Sequence, residues 1–140
     1  MPYYIDELKP GMSERFEKTV TDRDIEMFGE VSGDMNPVHF DEEYARKTIF
    51  RGRVAHGVLC LSYISTVLGM KMPGPGTIFV SANSRFKAPV RIGDTVVTIC
   101  TVREVLEEKR RVLFDCVCKV GDIQVVEGEA WVMAPARPKP

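Results

Sequence analysis

No stretch of this chain is long and apolar enough to read as a bilayer span. The longest apolar run, Val54 to Met70, is broken by His56, Ser62 and Ser65 and falls short of the roughly 20 residues a membrane helix needs. Met1 to Val20 carries Asp6, Glu7, Glu14 and Glu17 and no hydrophobic segment, which argues against a leader peptide or an anchor. An excess of one charge is missing too: 19 Lys and Arg stand interspersed with 20 Asp and Glu, for a formal net charge of -1. The electrostatic footprint of a nucleic-acid or membrane-surface binder is therefore absent. The cysteines Cys60, Cys100, Cys116 and Cys118 lie inside apolar runs without the spacing of paired metal ligands, and they are expected to be buried free thiols. These absences lead to the expectation of a cytoplasmic protein with neither nucleic acid nor membrane as a partner. A chain of 140 residues can bury one good core, so a single domain is expected over 1–140, with 135–140 as a disordered tail.

What is present changes character along the chain. Arg15 to Thr21 is predicted as a strand leading into a helix from Asp22 to about Val31, with Thr21 and Asp24 as its capping pair. Ser32-Gly33-Asp34-Met35-Asn36-Pro37 then reads as a loop, because Gly suits the position after a helix and Pro cannot continue one. A short helical piece is expected around Asp41 to Lys47. From Gly57 to Leu68, apolar residues occupy nearly every helical direction, which predicts a core helix buried on most sides. Four β-rich runs follow: Thr77 to Phe86, Thr95 to Val105, Arg110 to Val120 and Ile123 to Val132. The Gly121-Asp122 and Glu107-Glu108-Lys109 connections are too short for anything but antiparallel neighbours. One apolar helix beside a meander of strands predicts an α+β fold in which the sheet curls around the helix.

Histidine is scarce, and both copies stand beside something unusual. His39 follows Asp34 by five residues across a loop stiffened by Pro37, so a carboxylate and an imidazole can converge on one small ligand such as water. The same residues also fit a bland reading, with Asp34 and Asn36 as turn formers and His39 as a satisfied buried polar group. His56-Gly57 opens the apolar helix, whose first N–H groups lack intrahelical partners and can donate to an oxyanion; alternatively, Gly57 merely allows close packing. Ser65, two turns along, has a hydroxyl available to a ligand or to its own helix.

Phe28-Gly29-Glu30-Val31-Ser32-Gly33-Asp34-Met35-Asn36-Pro37-Val38-His39 resembles the hydratase 2 motif of the MaoC-like (R)-specific enoyl-CoA hydratases. The resemblance extends through His56-Gly57 and through Phe86-Lys87-Ala88-Pro89-Val90-Arg91-Ile92-Gly93-Asp94. It implies a hot dog fold, a long central helix wrapped by a curved antiparallel β-sheet, paired into a homodimer. It also implies syn hydration of a trans-2-enoyl thioester, with the family's catalytic Asp and His on Asp34 and His39, its oxyanion donor on the N–H of Gly57, its motif Asn on Asn36 and a helix Ser near Ser65. The substrate implied is an acyl-CoA or acyl-carrier-protein thioester, and neither a metal nor any other cofactor is expected. Arg46, Lys47, Arg51, Arg53, Lys71, Arg85, Lys87 and Arg91 flank these residues in sequence and include candidates for contact with the substrate's phosphate, but exposed basic residues are mostly just solvated and none is assigned to the site. Two alternatives share the fold: a thioesterase, and a non-catalytic acyl-binding subunit of a heterodimeric dehydratase.

Overall fold

The computed structural model describes residues 1–139, so the last position of the expected tail, Pro140, lies outside the described residues. In chain order, a short 3-10 turn at Ile5–Glu7 leads to β1 (Ser13–Thr19) and α1 (Asp22–Ser32). Two short helices follow, α2 (Pro37–Phe40) and α3 (Glu42–Arg46), and then α4 (Gly57–Thr66) with a π-helical continuation at Val67–Lys71. The chain ends in β2 (Ile78–Phe86), β3 (Thr95–Leu106), β4 (Arg111–Val120) and β5 (Ile123–Met133).

The strands form where side chains alternate. Val96, Thr98, Cys100 and Val102 of β3 are buried on one face, as are Val112, Phe114, Cys116 and Cys118 of β4, whereas Asp115 on the opposite face is exposed. All five strands pair antiparallel in the order β1-β3-β4-β5-β2. The register slips between Phe79 and Ser81 and again between Val102 and Glu104, and such bulges add twist and bend. The resulting curved sheet wraps one side of α4: Leu59, Cys60, Ile64, Val67 and Leu68 share one core with Val96, Cys100, Phe114, Val126 and Val132. Each such aliphatic side chain taken out of water contributes roughly 1.5–3 kcal/mol before entropy is counted. All four cysteines are buried and free, as their apolar settings imply.

Two sequence expectations need correction, and one element is additional. The helical piece expected at Asp41 to Lys47 is α3, capped by Asp41; α2, capped by Asn36, precedes it in a stretch with no expected element. The core helix is not buried on most sides in a single chain. Val58 is 44% exposed, and Ser62 and Ser65 are exposed as well. The sheet covers only one side of α4, and the apolar pattern alone does not distinguish a second sheet face from a second chain. The tail expected from 135 onward starts as part of the domain: Pro135 O accepts from Ile5 N at 3.0 Å, and Arg137 Nε donates to Asp6 Oδ2 at 2.8 Å. Among the described residues, no helix is long and apolar enough to cross a membrane.

Candidate active site

The site begins with the way α1 starts and stops. Thr21 Oγ1 accepts from Asp24 N at 3.1 Å while Asp24 Oδ2 accepts from Thr21 N at 3.0 Å, a reciprocal cap that fixes the helix start. Gly33, at φ 81°, closes the other end with its N–H on Gly29 O. The polar residues that follow all serve the backbone of their own loop. Ser32 Oγ donates to Phe28 O and accepts from Asp34 N, Asp34 Oδ1 accepts from Asn36 N at 3.3 Å, and Asn36 Oδ1 accepts from Val38 N at 3.2 Å. Asn36 is thus the cap of α2, with Pro37 at its first position. The turn-forming reading of Asp34 and Asn36 holds, and it does not exclude the functional one, because an accepted N–H leaves the second Asp34 carboxylate oxygen unused.

α2 delivers His39, which is 9% exposed, to a cavity of about 570 Å³. The cavity wall is mostly apolar, with Val38, Val54, Cys60, Phe86, Val90 and Val126 among its lining, and His39, Asn36 and Gly57 also face it. His39 Nδ1 lies 2.8 Å from Val54 O. A carbonyl oxygen only accepts, so Nδ1 carries the proton and Nε2 keeps its lone pair. Burial pushes the His39 pKa below its ordinary value; the Val54 hydrogen bond opposes that shift, nearby His56 adds to it and Asp34 opposes it. A carboxylate oxygen of Asp34, a ring nitrogen of His39 and a ring nitrogen of His56 lie within 4.8 Å of one another. Gly57 is the first residue of α4, so its N–H has no intrahelical partner. A Cβ on Gly57 would stand 2.9 Å from the Phe86 ring, so the glycine keeps this part of the wall open.

Two imidazoles and a carboxylate also make the only three-residue metal-ligand cluster among the described residues. The rings of His39 and His56 stack at 3.9 Å with 30° between planes, and one nitrogen of each is already engaged by a backbone carbonyl, His39 Nδ1 by Val54 and His56 Nε2 by Asp34. A second concavity, about 440 Å³, lies on the sheet around Arg103, Asp115 and Glu129. Its charges are satisfied within it: Arg103 bonds Asp115 at 2.8 Å and Glu129 at 2.5 Å. It contains neither histidine.

The MaoC like domain family matches residues 7–120. This chain belongs to the MaoC-like family. The chain is 47% identical to an (R)-specific enoyl-CoA hydratase of Rhodospirillum rubrum over 96% of its own length and 94% of that protein. It is 42% identical to a 3-hydroxybutyryl-CoA dehydratase of Methylorubrum extorquens, covering 96% of itself and 85% of the relative. The unliganded R-hydratase PhaJ1 from Pseudomonas aeruginosa superposes with a TM-score of 0.91 at 39% identity, over 97% of this chain and 88% of that one. The curved sheet around α4 is the hot dog fold these MaoC-like structures share.

In this MaoC-like chain Asn36, His39 and Gly57 line one cavity, the Asp34 carboxylate lies near the His39 ring without lining that cavity, and Ser65 stands apart. Ser65 is exposed on α4, and the residues of that helix that line the cavity are Gly57 and Cys60. Two of the basic residues that flank the site in sequence are spent on the backbone. Arg53 Nε donates to His39 O at 2.7 Å and its Nη2 pairs with Asp22 at 2.6 Å; Arg91 donates to Phe50 O and, at 3.4 Å, to Arg53 O. Lys87 lines the cavity and pairs with Glu127 at 3.6 Å. Sequence reasoning missed Phe86 and Cys60 as wall residues and Arg53 as the brace of α2. The contact between Gly57 at the start of α4 and Phe86 at the end of β2 joins residues far apart in the chain and has no local signal, whereas Cys60, one helical turn after Gly57, was readable from helical spacing.

Proposed function

We propose that this chain adds water across the double bond of a trans-2-enoyl thioester to give the (R)-3-hydroxyacyl thioester, and catalyses the reverse dehydration. The observation that carries the reading is the fixed tautomer of His39 beside Asp34: an imidazole lone pair, held by the Val54 carbonyl, at an apolar cavity that also receives the open N–H of Gly57. Water held between Asp34 and His39 gives a proton to His39 Nε2 as its oxygen bonds to C3. The Gly57 N–H receives the charge that develops on the thioester oxygen. The proton then passes to C2 on the same face, and both groups return to their starting states. Asp34 orients the water and balances the imidazolium that forms. The chemistry uses no metal and no redox group.

A coenzyme A thioester is the substrate class supported by the names of the relatives at 47% and 42% identity. The apolar cavity suits an acyl chain, and Lys87, the lining cation not committed to a backbone carbonyl, suits a phosphate of the carrier arm. The working unit is a homodimer. Ile78, Phe79 and Val80 are exposed on β2, an edge strand paired only with β5, and Val58 is exposed on α4; a second copy would cover both. A cytoplasmic setting fits four unpaired thiols.

Incubation with crotonyl-CoA tests the reading: enoyl absorbance is lost without release of free thiol, whereas release of thiol would mean a thioesterase. Asp34→Asn and His39→Gln are each expected to stay folded with turnover down at least about a hundredfold, and the double variant barely worse than the worse single one. Retention of more than about a third of wild-type turnover by either would remove it from the acid/base pair.

A further inference from the structure

His56 touches or adjoins every group in the proposed chemistry. It is 1% exposed and immediately precedes Gly57. Its ring stacks on His39 at 3.9 Å, and Phe28 and Phe40 confine it further, at 4.7 Å and 5.7 Å. Its Nε2 lies 2.9 Å from the carbonyl oxygen of Asp34, so Nε2 carries the proton and donates. Its Nδ1 is buried without a partner.

Helix start-up does not explain this residue. His56 occupies the cap position of α4 and makes no side-chain cap bond, and the residues that serve a cap are short and oxygen-bearing. Burying an imidazole with one nitrogen unpaired costs stability that an apolar ring would not. The Asp34 loop supplies the compensating role. Its other side-chain hydrogen bonds, from Ser32 to Asp34, Asp34 to Asn36 and Asn36 to Val38, each span two residues and shape the loop without tying it to anything. Among the described residues, the bond from His56 across 22 positions is the one hydrogen bond that docks Gly33–Asn36 onto α4.

We infer that His56 is a positioning residue for the hydration. It pins the Asp34 backbone with Nε2–H and backs the His39 ring with its own, so that both sit in register with the Gly57 N–H. The inference rests on the reading of Asp34, His39 and Gly57 given above. Misplacement by about 1 Å commonly costs about a hundredfold in rate, so a pin of this kind has a measurable effect without touching substrate.

Two substitutions separate its functions. His56→Phe keeps a ring among Phe28, His39 and Phe40 and loses the donor; His56→Gln keeps an amide N–H at about the reach of Nε2 and loses the ring. The measurements are kcat and KM for crotonyl-CoA hydration and the thermal midpoint, with each variant made also on Asp34→Asn. The expected result is that His56→Phe is the more stable of the two but the slower, with kcat down about tenfold or more and KM little changed. On the Asp34→Asn background the same change should cost almost nothing further, because the group it positions is already gone. Turnover that follows stability instead, with Phe the faster variant, overturns the proposal and makes His56 a packing residue. So does an equal loss with and without the Asp34 carboxylate. If Asp34→Asn itself is as active as wild type, the reading of the acid/base pair fails and the role of His56 falls with it; that result is distinct from an inactive Asp34→Asn accompanied by a His56→Phe of normal speed.

Discussion

Each group proposed to react is held by a neighbour outside the proposed chemistry. Val54 holds His39 in one tautomer, and burial holds its pKa below the ordinary value of about 6.5. Two consequences have definite signs. The imidazole must be unprotonated to accept from water, so activity is lost as pH falls through the folded pKa; the acid limb of kcat/KM from His39 is expected below pH ~6.5, and a limb centred above that value would contradict the assignment. The same depressed pKa means the unfolded chain takes up the His39 proton first. Its contribution to stability is therefore complete above about 6.5 and declines as pH falls through the folded value, which urea titrations at several pH values would register. Gly57 makes a steric prediction. The Cβ of Gly57→Val meets the Phe86 ring at 2.9 Å, and a ring pushed aside would narrow the cavity both residues line. Gly57→Val should keep its circular dichroism and lose turnover by about a hundredfold, the scale of a lost oxyanion donor, and Gly57→Ala with Phe86→Ala should recover part of the Gly57→Ala loss. Near wild-type turnover in Gly57→Val would remove the N–H from the mechanism.

At the scale of elements, the decisive contact is between α1 and α2, because α2 carries His39 only four residues long and cannot hold itself. It is clamped from three sides. Arg53 donates to its His39 carbonyl, Val54 N–H reaches Val38 O at 3.3 Å, and Phe40 lies on Gly29 of α1. A Cβ at position 29 would sit 2.6 Å from Phe40 Cζ and 2.8 Å from Met35 Sδ. Gly29→Ala is therefore expected to depart from the usual rule that alanine stabilises a helix. It should lower the thermal midpoint and also reduce kcat, since Phe40 adjoins His39 and Met35 adjoins Asp34. A higher midpoint with unchanged turnover would show that the contact yields freely. The loop and its motif were legible in the sequence because Ser32, Gly33, Asn36 and Pro37 each satisfy a local backbone demand. The clamps were not, since Arg53 and Val54 reach α2 across more than a dozen residues with no periodic signal.

At the scale of the molecule, the sheet ends in an unguarded edge. β2 is nine residues long and exposed along nearly its whole length, with no lysine or proline in Ile78–Phe86 to deter pairing and Arg85 its one charge. A second copy pairing there would extend the sheet and cover Ile78, Phe79 and Val80. Sedimentation at micromolar concentration should give the dimer, and Val80→Lys should shift it toward monomer and lower activity; a wild-type monomer with full activity would contradict the assembly.

Composition and local pattern determined the class of this protein: period-two strands, one apolar helix and a turn-rich motif that sets a carboxylate and an imidazole five residues apart. Those are short-range properties, written in neighbouring side chains and the backbone bonds they make. The tertiary structure alone decided the rest. It put Phe86 against Gly57, left Ser65 outside the cavity, spent Arg53 and Arg91 on carbonyls, and stacked His56 on His39 with its proton on the Asp34 backbone. Each of these joins residues far apart in the chain, and such contacts are selected by the packing of the sheet around α4, which no local signal specifies.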